Sequence, residues 1–327
     1  MTIPATGPVR RSRDVPLLVE RARAGDPRAV ARLITLVESG DEVLPQVAAA
    51  LAPYAGHAQV VGLTGSPGVG KSTTTNELVR ALRARGHRVG VLAIDPSSPF
   101  TGGAILGDRV RMQDHATDPG VYIRSMSSRG HLGGLSAATP QAVRVLEGAG
   151  CDVVLVETVG VGQAEVEVAS LADTTLVLLA PGMGDAIQAV KAGILEIADV
   201  FVVNKADRDG VDATVRDIQG MIALGERAPG EWRPQVVRAI AARAEGIDDI
   251  AAAIDKHRDW LERHDELRRR REARAAAEIE AIALGTLRNR IGSLRDGTQL
   301  ATLAAQVAKG ATDPYAAADE LVAQLGS

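Results

Sequence analysis

From residue 59 to about 254 the chain alternates between two textures. Short, mainly apolar runs, QVVGLT (59–64), RVGVLAI (88–94), DVVLVE (152–157), TTLVLLA (174–180), VFVVN (200–204) and QVVRAI (235–240), are separated by stretches with helical spacing. Val/Leu/Ile runs without polar alternation predict strands buried on both faces, as in a mostly parallel sheet covered by helices. Before this region, Leu17, Leu18, Ala22, Val30, Leu33, Ile34 and Val37 recur three and four apart and predict helices from Val15 to about Ala55. Asp26-Pro27 reads as a helix start, with Asp as cap and Pro at the first helical position. After Trp260 the stretch ERHDELRRRREARAAAEIEAIALGTL predicts one long polar helix, with Glu262, Glu266 and Arg270 along one face, and DPYAAADELVAQL follows. The pattern divides the chain into a helical N-terminal extension (1–55), an α/β core (56–258) and a helical C-terminal arm (259–327). The arm reads either as an oligomerisation device or as a plain packing element.

Composition narrows this picture. Of 327 residues, 46% are hydrophobic and only 2% aromatic, so the core must be built from Ala, Val, Leu and Ile. A net charge of −4, with no basic face or aromatic platform, argues against nucleic-acid binding. Arg268 to Arg271 form the one charge run, and interleaved acids make a solvated helix face its simpler reading. The single cysteine, Cys151, excludes a cysteine-based metal site and an intramolecular disulfide, and it reads as a small core residue. No run approaches the ~18 apolar residues of a membrane span. The first residues, MTIPATGPVRRSR, lack the apolar segment of a secretory signal, which gives a cytoplasmic expectation.

The chemistry begins at GSPGVGKS, Gly65, Ser66, Pro67, Gly68, Val69, Gly70, Lys71 and Ser72, with Thr73 following. It fits G-x-x-x-x-G-K-[ST] after a predicted strand and before TTTNELVRALRARG, a helix stopped by Gly86. The glycines let backbone N–H groups wrap phosphates that the helix N-terminus also attracts. Lys71 is expected to reach the β- and γ-phosphates, and Ser72 to ligate Mg²⁺. NKAD (Asn204 to Asp207) ends a later strand. There the Asp207 carboxylate can accept from both the ring N–H and the exocyclic amine of guanine, donors that adenine does not offer. Such a site can discriminate bases by ~10⁴ or more. Asn204 would brace the loop and the Lys205 stem would cover the base.

Two further strand ends carry acids, Asp95 in LAIDPSSP and Glu157 in VVLVETVGVGQ, and Asp108 in ILGDRVRM is a third candidate metal ligand. Surface acids capping loops remain the alternative for all three. Gly160 can donate its N–H to a γ-phosphate and sense hydrolysis. Val161 follows it where Ras-like proteins have glutamine, and Gln163 lies further on, so the spacing picks out no water-positioning residue. Arg109 and Arg111 are candidates for added charge stabilisation or are plain surface arginines. Finally, APGMGDAIQAVKAG (180–193) sets Pro181, Gly182 and Gly184 before Asp185, Gln188 and Lys191 at helical spacing. It reads as a moving element whose three side chains swap partners, or as an ordinary strand-to-helix turn.

Taken together, GSPGVGKSTTTNEL, DPSSPFTGGAILGDRVRM, RSMSSRGHLGGLS, ETVGVGQAEVEV and NKAD resemble the MeaB/MMAA family (formerly ArgK), over about residues 15 to 327. The resemblance implies a P-loop GTPase that is a chaperone of adenosylcobalamin-dependent methylmalonyl-CoA mutase, gating its cofactor loading, protection and reactivation. It implies Mg²⁺ with GTP/GDP, a homodimer held by the C-terminal arm, and slow hydrolysis stimulated by the partner. It places Lys71, Ser72, Asp95, Asp108 and Glu157 at the nucleotide and metal, and gives Asp185, Gln188 and Lys191 a relay between nucleotide and mutase. Ala164 departs from the serine expected after ETVGVGQ. Two rival classes share the core: a metal-insertion GTPase, for which one cysteine and six scattered histidines offer no evident metal motif, and a kinase acting on a transport-binding protein.

Overall fold

The computed structural model describes residues 14–40, 42–95, 113–115, 117–127, 138–158, 164–182, 195–225, 228, 230–295 and 298–323. Of these, the core strands are β1 (Gln59–Thr64), β2 (Val89–Asp95), β3 (Val121–Ser127), β4 (Val153–Thr158), β5 (Thr174–Leu179), β6 (Val200–Val203) and β7 (Gln235–Arg238). They form one seven-stranded sheet in the order β3-β2-β4-β1-β5-β6-β7. Every pairing is parallel. All strand C-termini therefore open onto one edge, where ligands of open α/β sheets bind.

The helices α1 (Val15–Arg23), α2 (Pro27–Ser39) and α3 (Leu44–Leu51) precede the sheet. Around the strands run α4 (Lys71–Ala84), α5 (Thr139–Gly148), α6 (Ala164–Leu171), α7 (Val211–Leu224) and α8 (Ile247–Arg263). Alternate strand residues feed opposite faces. Val60, Val154, Val156, Leu92 and Ile94 join the first three helices, α5 and α6. Val61, Leu63, Val91, Leu155, Leu176 and Leu178 pack under α4 and α8. The N-terminal helices thus share a core with the sheet. The partly buried Arg124 of β3 reinforces this by donating from Nη2 to Glu38 Oε2 at 2.6 Å and to Thr35 Oγ1 at 3.1 Å. Asp26 caps α2 as its sequence predicts, accepting the Arg28 N–H at 2.8 Å.

Small residues allow close contact between layers. In β1, a Cβ on Gly62 would stand 2.9 Å from Val168 Cγ2 and 3.1 Å from Ala172 Cβ. Cys151 is fully buried between α5 and β4, and burial pushes its thiol up to about 12.

Two sequence expectations need correction. VYIRSMS lies outside the apolar runs that predict strands, yet it forms β3. It lies at the sheet edge, where only one neighbour is needed and Arg124 and Ser125 interrupt the apolar run. The predicted single helix after Trp260 is two: α8 stops at Arg263 and α9 (Glu266–Arg295) begins after a break. Asp265 turns the chain with φ 60°, a left-handed conformation that Asp tolerates better than most residues. Its carboxylate then accepts from Arg268 Nε at 3.0 Å. The strands at 200–204 and 235–240 each end one to two residues earlier than their apolar runs.

Contacts divide the chain into two units, Met1–Arg268 and Arg269–Ser327. The second contains most of α9 with α10 (Thr298–Ala308) and α11 (Pro314–Ala323). Within it Leu303 and Ala317 are buried, whereas Ile279, Ile282, Leu284 and Leu287 of α9 are exposed. No described helix is long and apolar enough to cross a membrane.

Two outcomes follow from this packing. Gly62→Val should lower stability by about 1–3 kcal/mol through overpacking against α6, read as a shift of the urea midpoint at constant slope. Cys151, protonated in the fold at pH 8, should react with a thiol reagent only as fast as the chain opens. As the folded thiol titrates higher than the unfolded one, stability is retained below the unfolded value near 9 and declines as pH rises from there toward about 12.

Candidate nucleotide-binding site

Between β1 and α4, residues 65–70 turn the chain back on itself, with Gly65 at φ 135° and Gly70 at φ 96°. These two glycines are required twice over. A Cβ on Gly65 would run into the Leu178 carbonyl of β5, and one on Gly70 would run into the Asn204 amide. The loop so formed delivers the buried Lys71 and Ser72 to the first turn of α4. There the free N–H groups and the helix dipole favour an anion. Lys71 folds over its own loop, donating from Nζ to the Gly65 carbonyl at 2.6 Å and the Ser66 carbonyl at 3.0 Å. Thr73 points outward from α4 and is exposed.

Glu157, near the C-terminal end of β4 and 5% exposed, meets the same helix turn. Ser72 Oγ donates to its Oε1 at 2.6 Å, and Thr75 Oγ1 lies 3.1 Å from its Oε2. The Ser72 hydroxyl and the Glu157 carboxylate, at a helix N-terminus, form a hard oxygen set. Such a set fits Mg²⁺, which characteristically takes one or two protein oxygens together with substrate phosphates. Asp95 is the last residue of β2, one strand from β4, and its main chain registers with Ser127. Asp108, Arg109, Arg111, Gly160, Gln163, Asp185, Gln188 and Lys191 lie outside the described residues, as does Gly184. The loop after β5 is described as far as Gly182, which adopts φ 84° with open space where a Cβ would be.

The segment Asn204–Asp207, expected to read the base, leaves β6 beside the loop at residues 65–70. Asn204, 3% exposed, donates from Nδ2 to the Val69 carbonyl at 2.8 Å and accepts the Ala241 N–H on Oδ1 at 3.0 Å. Its own N–H binds the Leu179 carbonyl of β5 at 2.8 Å. Lys205 takes a left-handed φ of 57° and donates from Nζ to the Gly68 carbonyl at 2.6 Å. The Ala206 N–H closes the turn on the Ala239 carbonyl at 3.0 Å. Asp207 remains 38% exposed, 3.5 Å from Arg243 Nη2, so its carboxylate is accessible to an incoming base. The geometry thus brings together Lys71, Ser72, Glu157, Asn204, Lys205 and Asp207 from motifs well separated in sequence.

Sequence reasoning missed three contributors. Thr75 carried a usable signal, since it lies three residues after Ser72 and so on the same helix face. Arg243 and the Ala239–Ala241 turn carried none, because they act through main-chain groups and a long side chain after β7.

A family model described as methylmalonyl-CoA mutase-associated GTPase MeaB matches residues 30–295. A protein of Pyrococcus abyssi named as a GTPase is 46% identical over 310 residues, spanning 94% of this chain and 96% of its own. GTPase ArgK of Escherichia coli is 41% identical over 243 residues, 72% of this chain and 73% of its own. A crystal structure described as an LAO/AO transport system kinase superposes with a TM-score of 0.72 at 28% identity, covering 98% of this chain and all of that one.

The expectation that Asp207 meets the base has a direct check. Asp207→Asn replaces one acceptor oxygen by a donor that opposes the guanine amine. GTP binding should fall at least tenfold, since hydrogen bonds to charged groups contribute ~1.5–3 kcal/mol each. Xanthosine triphosphate, with a carbonyl where guanine has its amine, should lose less or gain. Competition titrations with the two nucleotides give the ratio.

Proposed function

The chain belongs to the MeaB family of GTPases, and we propose that its GTP hydrolysis times the work of a chaperone for adenosylcobalamin-dependent methylmalonyl-CoA mutase. In this reading the cycle gates cofactor loading of the mutase, its protection and its reactivation, in the cytoplasm. The observation that carries the guanine-nucleotide part is the Asn204 amide, which straps the phosphate loop to the base-reading loop. The mutase part is supported by the description of the matching family.

Residues Gly65 to Thr73 would wrap the phosphates. Lys71 would exchange its carbonyl partners for β- and γ-phosphate oxygens. Asn204, Lys205 and Asp207 would hold the base. Ser72 and Glu157, with Asp95 and Asp108, would hold Mg²⁺, whose charge offsets that of the phosphates. Hydrolysis breaks the bond between the γ-phosphorus and the β–γ bridging oxygen as water attacks, and GDP and phosphate leave. Gly160 would sense the γ-phosphate by its N–H. Arg111, Asp185, Gln188 and Lys191 would couple nucleotide state to the mutase. The arm, residues 259–327, would form a homodimer. In support, Ile279, Ile282, Leu284 and Leu287 crowd four exposed apolar side chains into fewer than three turns of α9, and a second copy would remove them from water.

The test is GTP turnover with Mg²⁺, alone and with purified mutase, with ATP as control. Slow turnover of GTP alone that rises manyfold with the mutase supports the chaperone reading; a rate indifferent to the mutase overturns it. Lys191→Ala should keep GTP affinity and lose part of that stimulation. A second reading comes from the description of the solved relative as a transport system kinase. Labelled γ-phosphate appearing on a protein acceptor instead of as free phosphate would favour it.

A further inference from the structure

We propose that Thr75 is a positioning residue that fixes the rotation of the Glu157 carboxylate and thereby sets the affinity of the site for Mg²⁺. The inference rests on the reading of Ser72 and Glu157 as the metal site. Thr75 is fully buried on α4, one turn beyond Ser72 and directed at the end of β4. Its single hydroxyl proton has two acceptors within reach: the Lys71 carbonyl at 3.0 Å, the usual partner of a helical threonine, and Glu157 Oε2 at 3.1 Å. A hydrogen bond to an ionised oxygen is roughly twice as strong as one between neutral groups. The proton therefore goes to Glu157 whenever the carboxylate is charged.

The consequence is geometric. The terminal torsion of a glutamate is broad, and a carboxylate held at one oxygen can swing about it. Here Ser72 Oγ holds Oε1 at 2.6 Å and Thr75 Oγ1 holds Oε2, two donors one helical turn apart on the same rigid element. Together they fix the plane of the carboxylate and keep Oε1 turned toward Ser72. When Ser72 turns its oxygen to a metal ion, Thr75 is the hydroxyl of this pair that still holds the carboxylate in that plane. Thr75 is itself buried and deeper along α4, so it acts through Glu157 and does not touch nucleotide or metal.

Removing a residue that orients a ligand commonly weakens metal binding by about 10- to 100-fold. The experiment measures release of a fluorescent GDP against Mg²⁺ concentration for the full-length parent, Thr75→Val, Thr75→Ser and Ser72→Ala. GDP affinity in excess EDTA is measured alongside. The proposal expects Thr75→Val to raise the Mg²⁺ midpoint about tenfold with parental affinity in EDTA, and Thr75→Ser to restore the midpoint. A parental midpoint in Thr75→Val overturns it. So does a Thr75→Ser variant that behaves like valine, since the methyl group would then be what matters. Should valine not fold, Thr75→Ala carries the same expectation. Ser72→Ala separates the two levels. If it leaves the midpoint unchanged, the metal-site reading fails and takes the proposal with it. If it shifts the midpoint while Thr75→Val does not, only the role of Thr75 is lost.

Discussion

The side-chain amide of Asn204 is the joint on which the site depends. Its donor end holds the phosphate loop at Val69, its acceptor end holds the turn after β7 at Ala241, and its main chain holds the end of β5. A parallel sheet aligns its strand ends but leaves the loops beyond them without ladder partners. Three such loops would otherwise have to satisfy their polar groups separately, and a buried group left unpaired costs about 1–3 kcal/mol. Asparagine suits this position because it carries donor and acceptor on one planar group without charge. Gly70 follows from the same contact, since the amide occupies the space a Cβ would need. The glycine loop at residues 65–70 and the loop at residues 204–207 are thus one braced object.

That object sits on a sheet built almost without aromatic residues. Among the described residues, Phe201 is the one aromatic of the largest fully buried side chains, and Leu, Ile and Met126 make up the rest. Branched side chains lose little on packing into strands and interdigitate closely. With small residues such as Gly62 and Ala172 at the contact, α6 comes close to β1. The result is a closely packed central layer, which brings Glu157, Ser72 and Asn204 to one end of the sheet although 132 positions separate Ser72 from Asn204.

The sequence was legible wherever chemistry depends on local spacing. GSPGVGKS states its own turn and helix start, NKAD states a strand end with a carboxylate, and unbroken Val/Leu/Ile runs located six of the seven strands. It was less legible where structure depends on neighbours. The edge strand β3 needs only β2, so its polar residues hid it. The break at Asp265 depends on one residue tolerating a left-handed conformation inside a strongly helical run. Arg243 reaches Asp207 only because β7 lies next to β6. Thr75 was visible as a helix-face neighbour of Ser72, yet its partner across the fold was not.

Lys71 shows what this bracing accomplishes. An ammonium group that is almost fully buried needs acceptors, and the carbonyls of Gly65 and Ser66 from its own loop are among those Lys71 takes. Those are neutral acceptors. Phosphate oxygens carry full charge, and a charged partner roughly doubles the strength of such a bond. Were phosphate oxygens to replace those carbonyls, as proposed, each exchange would favour the nucleotide, while Asn204 and the glycines would keep the loop in its shape. In that proposal the site would load and release nucleotide while its framework stays in place, which is the condition a GTPase must meet if phosphate loss is to move only the elements that report it.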